Sequence, residues 1–542
     1  MMFCPLKRWT PASAGALALG LTMLLGLAGC TDDGSQDDIL DVAFQSQVSN
    51  LDRTFTTKRE YIILSQLIDD FLFDVDPETL KYEPLLAKSY EFINDTTLDV
   101  TLRDGVKFHD GSTLSVKDVL YTYNFVLDPD NGARANRNVS DWLESVEQIG
   151  PMTVRFHLSY PYPLALRDMA VTVPIRKAGS YTVDGELDKS ALVTRENGLG
   201  PYEVVHFLPG REVMLKRFED YYDGSPKGKP AIRQIRIHTI SDWGSAQAGI
   251  LAGELDWLYN VPGDIARNLD ASGYAKRLVG PSMRIGFLQL DAAGLTGENA
   301  PLTDLRVRRA VNHAINRQSI VENLVGAGAS LIATSCNPVQ FGCETDVQRY
   351  PYDPRKAREL LTEAGYPDGF PLTLWAYRDP YVAEAMAQDL RDVGIDVSLR
   401  YVPLPVLNKA RSAGEIPAYF GTWGAGGTAD VAATLSVMWN MNTDRNLAQD
   451  PLIAKLVASA ERTQVKETRR QLYSRALKRI ADQAYWAPLY VFPQNYVVNK
   501  RLGFPVPSDG LPRLYLTHWR SDGDSTSGDR ASGGTVGNKG GN

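Results

Sequence analysis

The segment from 353 to 401 contains two amphipathic helix patterns, each closed by a glycine, and the second leads directly into an alternating strand. At the first helix, Asp353 and Pro354 supply an N-cap and a first-turn proline, and Gly365 follows the last apolar position. Apolar residues recur at helical spacing in both helices and at every second position in the strand: Ala357, Leu360, Leu361 and Ala364, then Val382, Met386, Leu390 and Val393 before Gly394, then Ile395, Val397, Leu399 and Tyr401. Because units of helix, glycine and strand build layered sheets, the chain is predicted to have an α/β fold.

The length and charge of the chain indicate how many domains and what kind of partner to expect. A chain of 542 residues exceeds what one hydrophobic core usually supports, so two or three domains are expected. The formal net charge is −8, and no run is rich in lysine and arginine, so no nucleic-acid partner is expected.

No catalytic motif stands out. The chain lacks a nucleophile elbow and a phosphate-binding loop, and its six histidines show no metal-binding spacing. We therefore expect neither a metal nor a cofactor, but missing motifs are weak evidence against an enzyme. The expectation of a binding protein rather than an enzyme rests on the N-terminal motif and the family resemblance described below. Aspartate and glutamate are abundant, which leaves a carboxylate-dependent hydrolase as an open alternative.

The N-terminus resembles that of an exported lipoprotein. Lys7 and Arg8 precede an uncharged run that ends in Leu-Ala-Gly-Cys at Cys30. This favours a signal peptide over 1–29 and a lipidated tether over 30–37, although the uncharged run is also long enough for a transmembrane helix. The resemblance to a bacterial lipobox implies a protein of the periplasm or cell envelope that is lipid-anchored to a membrane through Cys30. At the other end, the polar stretch 523–542 is predicted to be a disordered tail.

Two cysteines lie seven residues apart in a loop that contains proline and glycine. Cys336 and Cys343 suit a small disulfide in an oxidising compartment, and two free thiols are the alternative.

The stretch 419–430 is poor in the branched apolar residues that fill a core. It combines glycines, which allow a backbone to approach a ligand closely, with three aromatic residues and one carboxylate. Its candidate ligand-binding residues are Tyr419, Trp423, Gly424, Gly426, Gly427 and Asp430. The alternative is an ordinary glycine-rich turn over a packed tryptophan.

Several motifs occur in a fixed order along the chain. They are Leu-Ala-Lys-Ser-Tyr-Glu-Phe at 86–92, Thr-Leu-Arg-Asp-Gly-Val-Lys-Phe-His-Asp-Gly at 101–111, Gly-Leu-Gly-Pro-Tyr at 198–202, Leu-Arg-Val-Arg-Arg-Ala-Val-Asn-His-Ala-Ile-Asn-Arg at 305–317 and Tyr-Asp-Pro-Arg-Lys-Ala-Arg-Glu-Leu-Leu at 352–361. Together they resemble the signature of family 5 bacterial extracellular solute-binding proteins, the peptide, nickel and glutathione binders of ABC importers.

The resemblance implies a two-lobed, periplasmic-binding-protein-like fold of type II with an extra α+β domain inserted in the first lobe. The implied parts are lobe I at 38–60, 198–281 and 491–522, the extra domain at 61–197, and lobe II at 282–490. In this family the lobes close on a ligand. Hinge candidates are Gly198, Gly200 and the residues near 281 and 490.

The implied function is capture of a small peptide or peptide-like solute and its delivery to an ABC permease in the inner membrane, by a monomer without a cofactor. A periplasmic hydrolase or a ligand-loaded sensor on the same scaffold remains an alternative. The resemblance also places the stretch 419–430 in the cleft, together with Gln45 and Asn50 from a polar segment. Peptide-binding relatives hold the ligand amine with an aspartate three residues after the tryptophan, but that position here is Gly426. If Asp430 takes a ligand cation instead, Asp430→Ala is expected to cost about 2–5 kcal/mol of binding.

Overall fold

The structure, a computed structural model, describes residues 39–183, 186–188, 197–297 and 300–520. The predicted signal peptide, Cys30, the tether and the C-terminal tail lie outside the described residues. Among the described helices, none combines the length and the apolar character needed to cross a bilayer.

The first sheet has seven strands and is mixed. Their order across the sheet is Tyr202–Leu208, Glu212–Arg217, Gln234–Thr239, Ile39–Phe44, Trp257–Tyr259, Gln494–Asn499 and Ala275–Gly280. Ile39–Phe44 is apolar except for Asp41, and both of its faces are covered. Leu40 and Val42 pack with helix Arg59–Ile68 on one side, and Ala43 packs with helices Trp243–Ala252 and Gly263–Ser272 on the other.

The second sheet has six strands. Their order is Ser330–Leu331, Trp486–Val491, Ile285–Leu290, Ala418–Trp423, Pro371–Ala376 and Asp396–Tyr401. Helices Leu305–Ala314, Pro354–Glu363 and Pro380–Arg391 cover one face, and helices Ala432–Trp439, Pro451–Ala460 and Lys466–Asp482 cover the other. The two predicted helices and the strand after them are confirmed, and the α/β prediction holds for this layer.

The third sheet is antiparallel and has four strands. Their order is Ala87–Asn94, Thr97–Leu102, Thr153–Leu158 and Leu143–Gly150. One face packs on helix Val116–Leu127, which begins with a capping box between Ser115 and Asp118. An antiparallel sheet packed on a helix is the α+β arrangement that the resemblance implies for the inserted domain.

Shorter elements connect these layers. They are the strands Phe73–Val75, Tyr82–Pro84, Thr182–Val183, Glu186–Leu187, Leu502–Gly503 and His518–Trp519, the helices Asn136–Val139, Ala165–Val171, Arg317–Ile320 and Leu404–Ser412, the 3₁₀ turns Arg53–Phe55, Pro129–Asn131, Pro301–Thr303, Ala425–Gly427 and Leu514–Leu516, and the π turn Val321–Val325.

The motif at 305–317 forms two helices in succession: helix Leu305–Ala314 ends, and Asn316 caps a new turn through its bond with Ser319. The start of the extra domain that the resemblance implies, at residue 61, falls inside helix Arg59–Ile68, and this boundary stays a prediction. Helix Arg59–Ile68 buries its apolar face in the core of the seven-stranded sheet and therefore belongs with that sheet.

The chain passes from the seven-stranded to the six-stranded sheet at 281–284 and returns at 492–493. The two crossovers are hydrogen-bonded to each other: Ser282 Oγ donates to the carbonyl of Phe492 at 2.7 Å, and the Phe492 amide donates to the carbonyl of Arg284 at 2.8 Å. The hinge candidates Gly198 and Gly200 lie at neither crossover. They pack against the end of helix Arg59–Ile68, where a Cβ on Gly198 would lie 1.7 Å from the Ile68 carbonyl oxygen.

Candidate functional site

A cleft of about 370 Å³ lies where elements of the two large sheets face each other. Its volume falls within the usual range of small-molecule sites. The wall next to the seven-stranded sheet consists of Thr57, Arg59, Ile62 and Leu511. The opposite wall consists of Arg284, Tyr377, Leu404, Asn408, Thr422, Trp423, Gly424, Gly426 and Arg445.

Trp423 is the last residue of strand Ala418–Trp423 and lies half-buried in the cleft wall. Its indole N–H donates to the carbonyl of Ala433 at 2.7 Å, which satisfies its only donor. The Arg445 guanidinium lies 5.3 Å from the centre of its ring, a cation–π contact. The indole is therefore held in one orientation and offers an apolar surface rather than a hydrogen bond to the cleft.

Arg284, Tyr377 and Thr422 form a hydrogen-bonded group beside Trp423. Arg284 Nη1 donates to Thr422 Oγ1 at 2.9 Å, and the Tyr377 hydroxyl lies 3.0 Å from the same oxygen. Burial and the positive charges of neighbouring Arg378 and Arg59 lower the pKa of Arg284 to about 10. Among the described residues no carboxylate forms an ion pair with Arg284, although the charge of nearby Asp379 partly opposes the lowering of its pKa.

Glycine is required in the loop that follows Trp423. A Cβ at Gly424 would lie 3.0 Å from Arg284 Nη2, so the glycine leaves room for the guanidinium. Gly426 and Gly427 have φ of +59° and +82°, a region that other residues rarely adopt. Loop shape and the position of Arg284 thus depend on these glycines.

The structure places the predicted site residues in different surroundings. Trp423, Gly424 and Gly426 line the cleft, and Gly427 lines a small adjoining cavity near Asp509. Tyr419 is buried, and its hydroxyl donates to Gln289 Oε1 at 2.7 Å.

Neither of the two residues predicted from the N-terminal polar segment lines this cleft. Asn50 Oδ1 accepts the amide of Asp52 at 3.1 Å. The side-chain amide nitrogen of Gln45 is buried, and it has no hydrogen-bond partner among the described residues. Their roles in ligand binding stay predictions.

Asp430 lies behind the loop rather than in the cleft wall. Arg469 Nη2 donates to one carboxylate oxygen at 2.8 Å, and the Ala432 amide donates to the other at 2.9 Å. The pair is buried, and the Arg469 guanidinium also stacks on the ring of Phe341, 5.0 Å from its centre. The carboxylate predicted to receive a ligand cation thus has a cation within the chain, and its ligand role stays a prediction.

The cysteine loop supports the same segment. Cys336 and Cys343 are joined by a disulfide, with their Cα atoms 5.8 Å apart. Between them, Phe341 exchanges backbone hydrogen bonds with Ala429 and Val431 at 2.8 and 3.0 Å. The disulfide loop therefore fixes the C-terminal end of the glycine-rich stretch. The described residues contain no group of three or more His, Cys, Asp and Glu side chains placed to hold a metal ion.

Sequence reasoning missed the arginines of the cleft. Arg59, Arg284 and Arg445 are separated by more than 150 residues each, and an isolated arginine usually reads as a surface residue. The one available signal was Arg284, which directly precedes the fully buried strand Ile285–Leu290.

Two layered α/β units joined by two short crossovers, with a polar cleft between them, define a two-lobed solute-binding protein. The sequence model of the bacterial extracellular solute-binding proteins, family 5 Middle, matches residues 81–446. The chain belongs to this family, whose members are the solute-binding proteins of ABC importers rather than enzymes. The two-lobed fold predicted from the sequence is confirmed.

The relatives cover most of the chain. The glutathione-binding protein GsiB of Salmonella paratyphi A is 27% identical over 439 residues, which span 78% of this chain and 82% of that protein. The ABC transporter substrate-binding protein CtaP of Listeria monocytogenes superposes with a TM-score of 0.79 at 21% identity, covering 90% of this chain and all of that one. A dipeptide-binding protein of Pseudoalteromonas sp. SM9913, in complex with Met-Leu, superposes with a TM-score of 0.73 at 20% identity, covering 89% and 100%.

Proposed function

We propose that this solute-binding protein captures a small peptide or peptide-like solute between its lobes and delivers it to an ABC permease of the inner membrane. The observation that carries the proposal is the cleft of about 370 Å³, which combines the fixed indole of Trp423 with glycine backbone and hydrogen-bonding side chains. A flat apolar surface beside polar groups suits a ligand made of amides and short side chains. The names of relatives that bind glutathione and a dipeptide support the same class of solute.

The test is a thermal-shift screen of the purified mature protein against dipeptides, tripeptides, glutathione, opines and oligosaccharides. A ligand that binds only the folded state stabilises it by about 2.7 kcal/mol at a hundredfold excess over its Kd. We expect a peptide-like compound to raise the melting temperature, and Trp423→Ala to reduce that rise. Stabilisation by oligosaccharides alone would overturn the proposal. Recovery of the bound compound unchanged distinguishes capture from hydrolysis, and uptake through a reconstituted permease distinguishes import from sensing.

Closure of the lobes follows from the same proposal. We place lobe I at 38–68, 198–281 and 492–520, the extra domain at 69–197 and lobe II at 282–491, with the hinge at the two crossovers. Arg167 of the extra domain donates to Thr428 Oγ1 at 3.2 Å, and Arg462 lies 4.8 Å from the ring centre of Tyr160. These contacts join the extra domain to the second lobe and would be lost on opening.

Membrane attachment is proposed from the sequence of the leader. Cleavage before Cys30 and lipidation of its thiol would hold the monomeric protein at the membrane near its permease. A Cys30→Ser variant should move from the membrane fraction to the soluble periplasmic fraction. Equal membrane retention of the variant would exclude this anchor, and light scattering of the soluble form tests the monomer.

A further inference from the structure

The walls of the cleft carry positive charge without a compensating carboxylate. Arg59, Arg284 and Arg445 line the cleft, and no aspartate or glutamate lies among its lining residues. All three arginines are half-buried, so water screens them less than it would on an open surface.

The contacts of these arginines within the described residues are to neutral groups. Arg59 Nη1 donates to the carbonyl of Gly510 at 2.7 Å, and Arg284 Nη1 donates to Thr422 Oγ1 at 2.9 Å. Arg445 lies over the ring of Trp423. A guanidinium has five N–H donors, so each arginine retains donors for a ligand.

Two carboxylates whose charges act on Arg284 and Arg445, those of Asp379 and Asp444, already have other partners. Asp379 pairs with Arg378 at 2.6 Å, and Asp444 pairs with Arg411 at 3.4 Å and accepts a hydrogen bond from Ser412. Neither carboxylate forms an ion pair with an arginine of the cleft wall. The positive charge of the wall therefore remains available to a solute.

Several buried cations elsewhere in the fold are arranged differently. Each has an aspartate partner within 3 Å: Arg176 with Asp52 and Asp69, Lys227 with Asp70, Arg469 with Asp430, and Arg513 with Asp509. Pairing offsets the cost of burying a charge. Buried Arg308 has no carboxylate partner among the described residues either, but it donates to three backbone carbonyls. In that part of the chain the cleft arginines have neither a carboxylate partner nor as many hydrogen bonds, and a bound anion would supply both.

We propose that Arg59, Arg284 and Arg445 select a peptide-like solute that carries at least two carboxylates and a net negative charge. This inference rests on the proposed function and names the charge class of its solute. Arginine binds carboxylates through paired N–H donors, which fixes both the position and the orientation of the ligand. A solute with a net positive charge meets repulsion from all three arginines.

Pairs of peptides that differ by one charge test this directly. Calorimetry on the mature protein compares Ala-Glu with Ala-Gln and Ala-Ala-Glu with Ala-Ala-Gln, with Ala-Lys as the cationic probe. We expect the glutamate peptides to bind about tenfold or more tightly than their glutamine counterparts, because each gains charge-assisted hydrogen bonds. Ala-Lys should bind more weakly than Ala-Gln.

Variants then assign the preference to the arginines. Arg284→Gln and Arg445→Gln should each reduce the Glu-to-Gln affinity ratio to within about threefold of one. Arg355→Gln is the matched control, because its side chain is 79% exposed on a helix outside the cleft, and it should leave the ratio unchanged. Circular dichroism verifies folding, and the ratio in the unaltered protein still decides the matter if a variant does not fold.

A failure of the charge preference can be distinguished from a failure of the proposed function. Equal or stronger binding of the glutamine or lysine peptides would overturn the charge preference and leave the proposed function standing. Absence of binding by every peptide, together with stabilisation by another solute class in the thermal-shift screen, would overturn the proposed function itself.

Discussion

Replacing Asp430 by alanine is expected to destabilise the fold. The side chains of Asp430 and Arg469 are 9% and 6% exposed, and 2.8 Å separates their charged atoms. Removing one partner of such a pair costs about 3–5 kcal/mol, because the remaining charge stays buried without a counter-ion. The hydrogen bond from the Ala432 amide is lost as well. We therefore expect the free energy of unfolding to fall by about 4 kcal/mol or more.

Urea unfolding followed by circular dichroism measures this effect in a double-mutant cycle. The cycle contains Asp430→Ala, Arg469→Met and the double variant. Because the double variant leaves no unpaired charge, it should be less destabilised than the sum of the single variants by about 2 kcal/mol or more. The exposed pair Arg355–Glu359 is the control, and Glu359→Ala should cost less than about 1 kcal/mol.

The cycle also separates two roles for Asp430. Single-variant effects that add within about 0.5 kcal/mol would refute the argument from the buried pair. If Asp430→Ala left stability unchanged and weakened ligand binding by about 2–5 kcal/mol, the carboxylate would instead be a direct ligand contact.

Three further predictions concern the cleft and its supports. Trp423→Ala should weaken ligand binding roughly tenfold or more by calorimetry, whereas Trp423→Phe, which keeps an aromatic face, should lose less; equal losses would exclude a stacking role. Burial raises the pKa of Glu461 from 4.5 to about 7. Its folded pKa lies above its unfolded value, so its stabilising contribution is complete below about pH 4.5 and is lost as the pH rises through 7. Urea unfolding between pH 4 and 8 should show Glu461→Gln removing up to about 3 kcal/mol of this dependence, and an unchanged pH profile would contradict the shift. Replacing Cys336 and Cys343 together by serine should lower the free energy of unfolding by about 2.5 kcal/mol, since the disulfide closes a short loop; a parent protein whose unfolding is insensitive to reductant would argue against it.

The local elements could be predicted from the sequence because their determinants are local. Helix Pro354–Glu363 has its cap, first-turn proline and terminal glycine within the thirteen residues 353–365, and all lie where the pattern indicated. The position of Gln494–Asn499 in the sheet, between Trp257–Tyr259 and Ala275–Gly280, could not be predicted, because pairing over more than 200 residues leaves no periodic trace.

The candidate site likewise has parts that could be predicted from the sequence and parts that could not. Trp423 stood out because glycines surround it, and it lines the cleft. Asp430 looked free in the sequence, but its partner Arg469 lies 39 positions away on helix Lys466–Asp482, and only the fold brings them together. The cleft arginines come from three separate segments, so the sequence does not predict that they meet in one cleft.

The two crossovers have a mechanical consequence. If the lobes move about these two short connections as proposed, the hydrogen bonds that join Ser282 and Arg284 to Phe492 would resist twisting more than bending. Arg284 belongs to one crossover and also lines the cleft. A solute held by its guanidinium therefore pulls on the pivot itself. Lengthening either connection would allow the lobes to twist as well as bend. The affinity for the solute would then fall, although every contact with the solute remained.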